Sequence, residues 1–600
     1  MRKLPVFIFA FLNIITANGQ QQTKIRILHT NDMHSRLIGY SPESSYSPDI
    51  VNNDKTIGGF SRISSIIKNE TAGFDGVTLV LDAGDFLMGT LFQGIEPATG
   101  FELRLMKTMG YDVVCIGNHE FDLGPDKLAE IVGSGARLGS IPPVLLSNAV
   151  FDENDPADDA LEKLYTDGVI SRKYILQKGG LKIGFFSLMG KVADDNAAFA
   201  PPVTFSKQVK AAKKMVKDLE AEKCDLIICL SHSGVDKDKN GSWAGEDAEL
   251  ASKVSGIDVI ISGHTHTRLN QPLLVNGIPV VQAGEYGQFV GKLDLTLSNG
   301  VPAQTGYSLI PVDDRIAGDM KIESMIGEQK ELVTDRILKK LDLSYEQKIA
   351  ETSFALECNE SGDYENSNLA PMVADAIHNY VNKHVRTGTD VSIVAVGVVR
   401  DNVQPGVQAA PDIFRIMSMG SGSDEIPGYP LARVYVTGKE LKSIMEILLA
   451  SGKSTPANYC YYSGLKAEFD PSKGLLKKVQ KIKIIRPDGS VKDVDFSKKS
   501  KELYSITANS YMLKFIGIIK KMSFGLINVV PKDAKGQVVS DIGSALLDMN
   551  DQAAGLQEGK EWLAILEYLR SMKDVNGNGI PDIDDKYRVP LKCLVPVNQE

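Results

Sequence analysis

The sequence predicts an α/β protein with two domains, and three observations support that prediction. The chain has 600 residues, which at roughly 100 to 200 residues per domain is enough for about two to four packed cores. From Lys24 to about Pro311, short β-rich runs alternate with helix-favouring stretches such as Gly59 to Asn69. A second mixed region runs from about residue 346 to 549. Alternation of this kind indicates layered α/β domains.

The first residues have the pattern of an export signal. Arg2 and Lys3 precede an apolar run from Leu4 to Ile15, and small residues follow at Ala17 to Gly19. This order predicts a secretory signal peptide over residues 1–19. Since no later run reaches the roughly 18 apolar residues of a membrane-spanning helix, we expect an exported protein, periplasmic or extracellular, with no membrane span. The net charge of −10, without a block of Lys or Arg, argues against a nucleic-acid partner.

Changes in the pattern predict where the parts of the chain begin and end. We expect an N-terminal domain over 24–312, a linker helix over 313–345, a second α/β domain over 346–549 and a tail over 550–600. In the linker, apolar residues recur at three- and four-residue spacing among charged ones, as an amphipathic helix requires. Helices are predicted at 371–383, at 438–449 and around Trp562 to Met572, and strands at VSIVAV and LYSITA.

Five short clusters hold six of the eight histidines, and each cluster follows an apolar strand-like run. The clusters are HTNDMH at 29–34, Gly84-Asp85, GNHEFD at 117–122, Ser231-His232-Ser233 and GHTH at 263–266. Because ligands gather at the carboxyl ends of strands in open α/β sheets, we expect these side chains to converge. Imidazole and carboxylate together suit Zn²⁺, Mn²⁺, Fe or Co²⁺, whereas Mg²⁺ prefers oxygen. The clusters therefore predict a centre for two divalent transition metals.

The ordered series D-x-H, G-D, G-N-H-E, H and G-H-x-H resembles the calcineurin-like metallophosphoesterases. The resemblance implies a four-layer α-β-β-α sandwich for the N-terminal domain. It implies Asp32, His34 and His266 as ligands of one metal, Asn118, His232 and His264 as ligands of the other, and Asp85 as the bridge between them. It further implies a hydroxide nucleophile between the metals, with His119 protonating the departing oxygen and Asp122 orienting its ring.

The second domain narrows the resemblance to the exported 5′-nucleotidases and UDP-sugar hydrolases. The residues that carry it are HTNDMH together with the segments Asn368–Ala376 and Val436–Leu441. In that family the second, α/β domain supplies the nucleotide pocket, commonly with N-x-G-G-x-R where this chain has AVGVVR and keeps only the glycine and Arg400. The family's P-F-G-N segment aligns with SMGS, so Met419 stands in place of a base-stacking ring. One half of the aromatic clamp is therefore expected to be absent, and Tyr511 is a candidate for the other half.

These features predict an enzyme that releases phosphate from nucleotides or cleaves the phosphoanhydride of nucleotide sugars. Two alternatives within the family stay open because the base-reading positions depart from the pattern: a 2′,3′-cyclic nucleotide phosphodiesterase and a phosphatase for a non-nucleotide ester. An alternative of another class is a secreted binding protein with an idle metal domain. The presence of both His119 and Asp122 argues against that alternative.

The tail contains a second metal-binding motif. Residues 574–585, DVNGNGIPDIDD, have the spacing of an EF-hand-like calcium loop, with glycine at the sixth position for the sharp turn. The predicted calcium ligands are Asp574, Asn576, Asn578, the backbone carbonyl of Ile580, Asp582 and Asp585. We expect a structural calcium ion there.

Three histidines have no place in the predicted ligand set or in the dyad. His29 precedes Asp32 on the same strand, and we expect it to have a structural role through hydrogen bonds. His378 and His384 lie on a predicted helix and are expected to be surface or packing residues.

Overall fold

The computed structural model describes residues 22–298, 300–358, 366–451, 456–474, 476–514, 529–592 and 594–597. The predicted signal peptide over 1–19 lies outside the described residues. Within the described ranges, no helix combines the length and the apolar character that crossing a membrane requires.

The N-terminal domain contains two large β-sheets. Its strands are β1 (Gln22–Thr30), β2 (Val77–Asp82), β3 (Val113–Cys115), β4 (Val144–Leu145), β5 (Ala149–Val150), β6 (Ile170–Ser171), β7 (Lys173–Lys178), β8 (Leu181–Met189), β9 (Thr204–Phe205), β10 (Leu226–His232), β11 (Asp236–Lys237), β12 (Trp243–Ala244), β13 (Val259–Ser262), β14 (Leu273–Val275), β15 (Ile278–Val281), β16 (Phe289–Ser298) and β17 (Val301–Pro311). One sheet has the order β17-β16-β1-β2-β3-β4-β6 and the other the order β14-β15-β13-β10-β8-β7. The strands β1 to β4 are parallel to one another, as are β8, β10, β13 and β15.

Helices cover the outer faces of both sheets. They are α1 (Phe60–Ala72), α2 (Glu96–Thr99), α3 (Phe101–Met109), α4 (Pro125–Leu138), α5 (Asp159–Thr166), α6 (Lys191–Asn196), α7 (Gln208–Ala221) and α8 (Glu246–Lys253). Leu79 of one sheet and Ile228 of the other are buried in the core between the sheets. Their neighbours point outward, since Val80 packs with Ile63 of α1 and Cys229 packs beneath α7. The predicted four-layer α-β-β-α order is therefore confirmed.

The predicted linker helix forms, and it packs against the N-terminal domain. It is α9 (Met320–Arg336), which lies inside the predicted range of 313–345 and contacts α1 and α3. The Asp319 side chain caps it by accepting a hydrogen bond from the Lys321 amide at 3.2 Å. The apolar face that the spacing predicted is buried, with Ile322 and Ile326 fully enclosed.

The C-terminal part forms a second α/β domain. Its strands are β18 (Lys348–Thr352), β19 (Val391–Ala395), β20 (Gly406–Ala409), β21 (Leu431–Thr437), β22 (Cys460–Ser463), β23 (Leu465–Phe469), β24 (Val479–Ile485), β25 (Val491–Asp493), β26 (Leu503–Asn509) and β27 (Leu594–Pro596). Its helices are α10 (Leu369–His384), α11 (Ala410–Ile416), α12 (Gly438–Ser451), α13 (Ser510–Lys514) and α14 (Glu561–Arg570). A mixed sheet with the order β21-β26-β19-β22 is accompanied by a sheet with the order β25-β24-β23-β27 and by the pair β18-β20. The predicted strands VSIVAV and LYSITA correspond to β19 and β26, and the predicted helices to α10, α12 and α14.

The tail is integrated into this second domain. Strand β27 pairs with β23, and Trp562 of α14 is fully buried. The Trp562 indole donates a hydrogen bond to the Pro427 carbonyl at 2.8 Å and packs edge-on against the Phe414 ring. Residues beyond 550 therefore help to hold the loop that precedes β21.

The two domains share an apolar core and a buried network of charges. One continuous apolar cluster contains residues of α1 and α3 together with residues of α10, α11 and α14. Beside it, Asp401 of the second domain accepts hydrogen bonds from Arg36 of the first at 2.8 Å and from Arg415 at 2.9 Å. Arg415 also pairs with Glu43 of the N-terminal domain, at 3.3 Å. These charged groups are buried, because the side chains of Arg36 and Arg415 are only 1% and 6% exposed.

Candidate metal centre and substrate cavity

The predicted metal ligands lie at the carboxyl ends of parallel strands from both sheets. In the first sheet Asp32 and His34 follow β1, Asp85 follows β2 and Asn118 follows β3. In the second sheet His232 ends β10, and His264 and His266 follow β13. Because the sheets pack face to face, these two edges meet and all seven side chains come together.

The ligand atoms form two groups that lie next to each other. Asp32, His34 and His266 offer atoms within 4.8 Å of one another, and so do Asp85, His232 and His264. The Asp85 Oδ2 atom lies 3.0 Å from His232 Nε2 and 4.0 Å from His34 Nε2, so this carboxylate stands between the groups.

Asn118 joins the second of these groups. Its Oδ1 atom lies 3.2 Å from His232 Nε2 and 2.9 Å from His264 Nδ1. The amide oxygen therefore points to the same place as the two imidazoles, as the resemblance implied.

Two ligand histidines are oriented for metal binding. Nδ1 of His34 faces the Met88 carbonyl at 3.0 Å, and Nδ1 of His232 faces the Ala83 carbonyl at 2.8 Å. Each carbonyl can only accept, so Nδ1 carries a proton and Nε2 points to the centre. Burial holds the pKa of His34 well below its ordinary value and lowers the pKa of His264 to about 3, whereas a neighbouring carboxylate outweighs burial at His232 and raises its pKa to about 10. Imidazoles and carboxylates in one pocket are a donor set for divalent transition metals.

The backbone at the centre is held in an uncommon conformation. The φ angle is positive at five of the predicted ligands: 51° at Asp32, 49° at His34, 55° at Asp85, 77° at His264 and 56° at His266. Residues other than glycine rarely adopt this region, and those that do cluster at functional sites. These loops therefore accept an unfavourable backbone conformation that directs their side chains to the centre.

Two glycines in the motifs are required by close packing. A Cβ atom on Gly117 would stand 2.3 Å from Asp85 Oδ1, and one on Gly263 would stand 2.7 Å from the Ala83 carbonyl oxygen. Both distances are shorter than real Cβ contacts. The G-N-H-E and G-H-x-H motifs therefore need glycine for steric reasons that their spacing alone does not reveal.

Three residues that orient the ligands were given no role by the sequence analysis. Glu120 is buried and accepts hydrogen bonds from the backbone amides of Asp85, Leu87 and Gly117 at 3.0, 2.9 and 2.6 Å. The Asn31 side chain donates to Asp32 Oδ2 at 2.6 Å. Glu285 pairs with Nδ1 of His266. Asn31 and Glu120 lie inside the motifs, and Glu285 ends a strand-like run. The sequence therefore places these residues near the centre, but it does not indicate which groups they contact.

The predicted dyad is formed. His119 Nδ1 lies 2.9 Å from Asp122 Oδ2, and the His119 amide donates to Asp85 Oδ1 at 2.8 Å. The first contact orients the imidazole, and the second ties its backbone to the carboxylate that stands between the two ligand groups. The imidazole lies at the cavity wall and is 15% exposed.

A cavity of about 710 Å³ joins this centre to the second domain. Its wall includes Asp85, Asn118 and His119 as well as the predicted substrate residues, which are Arg400, Met419 and Tyr511. The Arg400 carbonyl accepts a hydrogen bond from the Tyr286 hydroxyl at 3.0 Å, which fixes this loop of the second domain beside the metal domain. All three predicted substrate residues therefore face the same space as the dyad.

The structure places an aromatic residue beside Tyr511 that the sequence did not mark, while the absence of one half of the aromatic clamp stays a prediction. Tyr511 stacks on Tyr429, with ring centroids 5.2 Å apart and planes 11° from parallel. Phe199 of the metal domain lies beside both rings, with centroid distances of 6.0 Å and 6.3 Å. Tyr429 lies before β21, ten residues after Met419. Because the family's stacking ring aligns with Met419, the alignment did not point to Tyr429.

The histidines outside the ligand set and the dyad have packing and surface roles. The expected hydrogen bonds of His29 are not observed, because neither ring nitrogen has a partner among the described residues. Instead its ring fills the space over Gly291 and stacks on Tyr307 at 6.2 Å, and burial lowers its pKa to about 3. His378 is largely buried, and His384 pairs with Glu567 at 2.8 Å near the surface, in agreement with the prediction.

In the tail, the structure brings most of the predicted calcium-ligand side chains together. Asp574, Asn576, Asn578 and Asp582 lie close together, with Asn576 in contact with Asp582 at 3.4 Å. Asp585 instead pairs with Arg588 at 2.7 Å.

Glu351 of β18 reaches the loop, a contact that the sequence analysis did not foresee. Its Oε1 atom accepts hydrogen bonds from Asn576 and, at 2.8 Å, from Asn578. The loop thus faces, in addition to its own aspartates, a carboxylate from a distant part of the chain.

Comparisons with known proteins agree with both domains. Residues 25–268 match the family model described as calcineurin-like phosphoesterase, and residues 348–518 match the model described as 5′-nucleotidase, C-terminal domain. The chain is 27% identical to an apyrase of Aedes albopictus, with 77% of this chain and 78% of that one covered, and 24% identical to protein UshA of Escherichia coli, with 79% and 84% covered. It is also 25% identical to the trifunctional nucleotide phosphoesterase protein YfkN of Bacillus subtilis, with 81% of this chain but only 32% of that longer one covered.

The fold is shared with a solved structure, that of a 5′-nucleotidase precursor from Thermus thermophilus. The TM-score is 0.66 and the identity 20%, and the match covers 96% of this chain and 100% of the other. Calcineurin-like metallophosphoesterases are hydrolases of phosphoric esters. The two family models, the paired ligand groups and the shared fold place this chain among the members that carry a 5′-nucleotidase C-terminal domain.

Proposed function

We propose that this protein is an exported phosphohydrolase with a two-metal centre, which releases phosphate from nucleotides or cleaves nucleotide sugars. The observation that carries the proposal is the single cavity in which two ligand groups, the His119–Asp122 pair and Arg400 face one another. The names of the similar proteins, which include apyrase and nucleotide phosphoesterase, support a phosphate ester or anhydride as the substrate. The leader-like pattern of residues 1–19 supports export.

The residues that would hold the metals follow from the two groups. Asp32, His34 and His266 would bind one ion, Asn118, His232 and His264 the other, and Asp85 would contact both. Bound in such a site, two divalent cations polarise phosphoryl oxygens and make water a stronger nucleophile at neutral pH. Zinc, manganese, iron and cobalt all suit this donor set.

His119 has the position of a general acid. The Asp122 carboxylate holds Nδ1 at 2.9 Å, so Nε2 is the nitrogen that can contact the substrate. From this position the imidazole can give a proton to the departing oxygen. General acid catalysis of this kind typically contributes about 10²- to 10⁴-fold.

Arg400 has the position of a phosphate-binding residue. Its guanidinium is planar and permanently charged, and it can donate two parallel hydrogen bonds to a phosphoryl group. It belongs to the second domain and lines the same cavity as Asp85 and His264. Binding of one substrate would therefore engage both domains.

One panel of substrates tests this function. The full-length protein is reconstituted with Mn²⁺ or Zn²⁺ and given AMP, UDP-glucose, 2′,3′-cyclic AMP and an aryl phosphate, with direct detection of each product. Rapid turnover of at least one ester, lost on chelation and restored by metal, is the expected result. Preference for the cyclic substrate or for the aryl phosphate would move the assignment to one of the two alternatives within the family. Metal binding without turnover of any ester would favour a binding protein.

We also propose that the loop of residues 574–585 binds a structural calcium ion. Asp574, Asn576, Asn578, Asp582 and the Ile580 carbonyl would supply oxygen ligands, and Glu351 would take the place that the sequence suggested for Asp585. Support comes from the position of Glu351, whose carboxylate meets both asparagines. Calcium favours such a set of six to eight oxygens. An ion there would tie β18 to the segment that follows α14.

A further inference from the structure

The cavity does not end at the tyrosines but extends into the second domain as an apolar chamber. Its floor is one face of the mixed sheet. Pairing of Val391 with Ile506 in the parallel strands β19 and β26 places Ile393 beside Ala508 on the same face. Ala395 continues this face and pairs with Cys460 of β22. The floor residues are Ile393, Ala395, Cys460, Ile506 and Ala508.

The roof of the chamber is helix α12. Ile444, Ile447 and Leu448 line it, and their spacing of three and four residues puts them on one helical face. Among the described residues that line the chamber between its floor and its roof, Asn458 has a strongly polar side chain. The chamber therefore offers an incoming ligand mainly aliphatic surface.

The positions at which the family pattern places base-binding residues are also apolar in this chain. The N-x-G-G-x-R pattern expects Asn and Gly where this chain has Ala395 and Val398, and both of these residues line the cavity. An alanine cannot exchange the hydrogen bonds that a base edge needs, and the methyl groups of valine add apolar area.

The two tyrosines are in contact with each other in this structure. A base inserted between Tyr429 and Tyr511 would need ring planes about 7 Å apart, because each ring-to-base contact takes about 3.5 Å. The observed centroid distance of 5.2 Å, with nearly parallel planes, leaves no such gap. The aromatic pair here forms a side wall of the chamber.

We infer that the substrate is a phosphate monoester of an apolar alcohol, whose alkyl or aryl group occupies this chamber. This inference rests on the two-metal phosphohydrolase chemistry of the proposed function and departs from its nucleotide substrates. The phosphoryl group lies between Arg400 and the metal ligands, and the apolar group extends under α12. Hydrolysis adds one water to phosphorus and breaks the bond to the ester oxygen. His119 protonates that oxygen, so the products are inorganic phosphate and the apolar alcohol.

A series of n-alkyl phosphates tests the inference. Ethyl, butyl, hexyl and octyl phosphate are compared with AMP by phosphate release from the full-length, metal-loaded protein. Because each methylene buried in the chamber favours binding, kcat/KM is expected to rise by about two- to fourfold per methylene until the chamber is full. Octyl phosphate should exceed AMP. A flat series together with efficient cleavage of AMP would overturn the inference while leaving the proposed function intact.

Two variants and one control locate the effect. Ala395→Asn places an amide in the chamber and Ala508→Leu fills part of it, so both should flatten the chain-length series. Ala303→Asn makes the same exchange on the exposed strand β17 and should keep the slope of the wild type. Variants that retain the full slope would contradict the chamber as the binding site.

A binding measurement separates this inference from the proposed function. Titration calorimetry with ethanol, butanol and hexanol does not depend on turnover. An affinity that rises with chain length in the wild type and is lost in Ala508→Leu would support the chamber even if no ester were cleaved. Absence of any chain-length dependence in both binding and turnover would refute it.

Discussion

Replacing Gly117 by alanine should disable the metal centre through a single methyl group. Its Cβ would stand 2.3 Å from Asp85 Oδ1, 2.7 Å from the Asp85 amide and 2.8 Å from His232 Cε1. Relief of the first overlap alone requires a shift of about 1 Å, and the neighbouring backbone leaves little room for it. A misplacement of about 1 Å at reacting groups typically costs about 10²-fold in rate. We therefore expect kcat to fall by about 10²-fold or more and the metal content to fall with it.

The assay for Gly117→Ala combines metal analysis, phosphate release with excess metal and thermal unfolding. Gly474→Ala is the matched control, because a Cβ there would meet nothing within 4 Å. The control should keep its metals and its turnover. A Gly117→Ala protein with full metal content and wild-type turnover would refute the argument that this carboxylate is held by close packing.

Three further outcomes are expected. His119→Ala should lower kcat by about 10²- to 10⁴-fold with metal content unchanged, and Asp122→Asn should lower it less; parallel loss of metal in the alanine variant would contradict the role of general acid. Calcium should raise the melting temperature of the wild type, and Asp574→Ala and Glu351→Gln should reduce that shift, whereas magnesium should not substitute; no shift in the wild type would remove the calcium site. Burial raises the pKa of Glu561 to about 8, so the folded state holds a proton there that the unfolded state releases near pH 4.5. The free energy of unfolding should therefore fall between about pH 4.5 and 8, by at most about 1.4 kcal/mol per pH unit, and less steeply in Glu561→Gln; equal slopes in urea titrations would contradict this assignment.

The convergence of the candidate ligands could be predicted from the sequence because its information is local. Each ligand follows an apolar strand, and parallel strands bring their carboxyl ends to one edge, so residue type and position in the chain were sufficient for Asp32 or His232. The fold followed for the same reason, since α/β alternation is a repeated local signal. The resemblance then supplied the pairing of the ligands.

The residues that were missed depend on contacts between distant parts of the chain. Tyr429 becomes part of an aromatic pair only because the loop before β21 places it against Tyr511. Glu351 contacts the loop of residues 574–585 because β18 runs beside that loop, and nothing around Glu351 in the sequence indicates this contact. His29 was assigned hydrogen bonds from its residue type, whereas the space over Gly291 makes it a packing residue. Tertiary neighbours decided each of these cases.

The charges and apolar side chains buried between the domains have an energetic consequence for the whole chain. Separating the domains would expose the shared core and leave Asp401 and Arg415 without their partners in the other domain, which is costly for buried ions. Folding of the candidate metal centre and folding of the apolar chamber are therefore thermodynamically linked. A metal ion bound by one domain would stabilise the other by mass action, and a core mutation under α14 would weaken metal retention at a distance. Stability and metal affinity would then be two measures of one equilibrium.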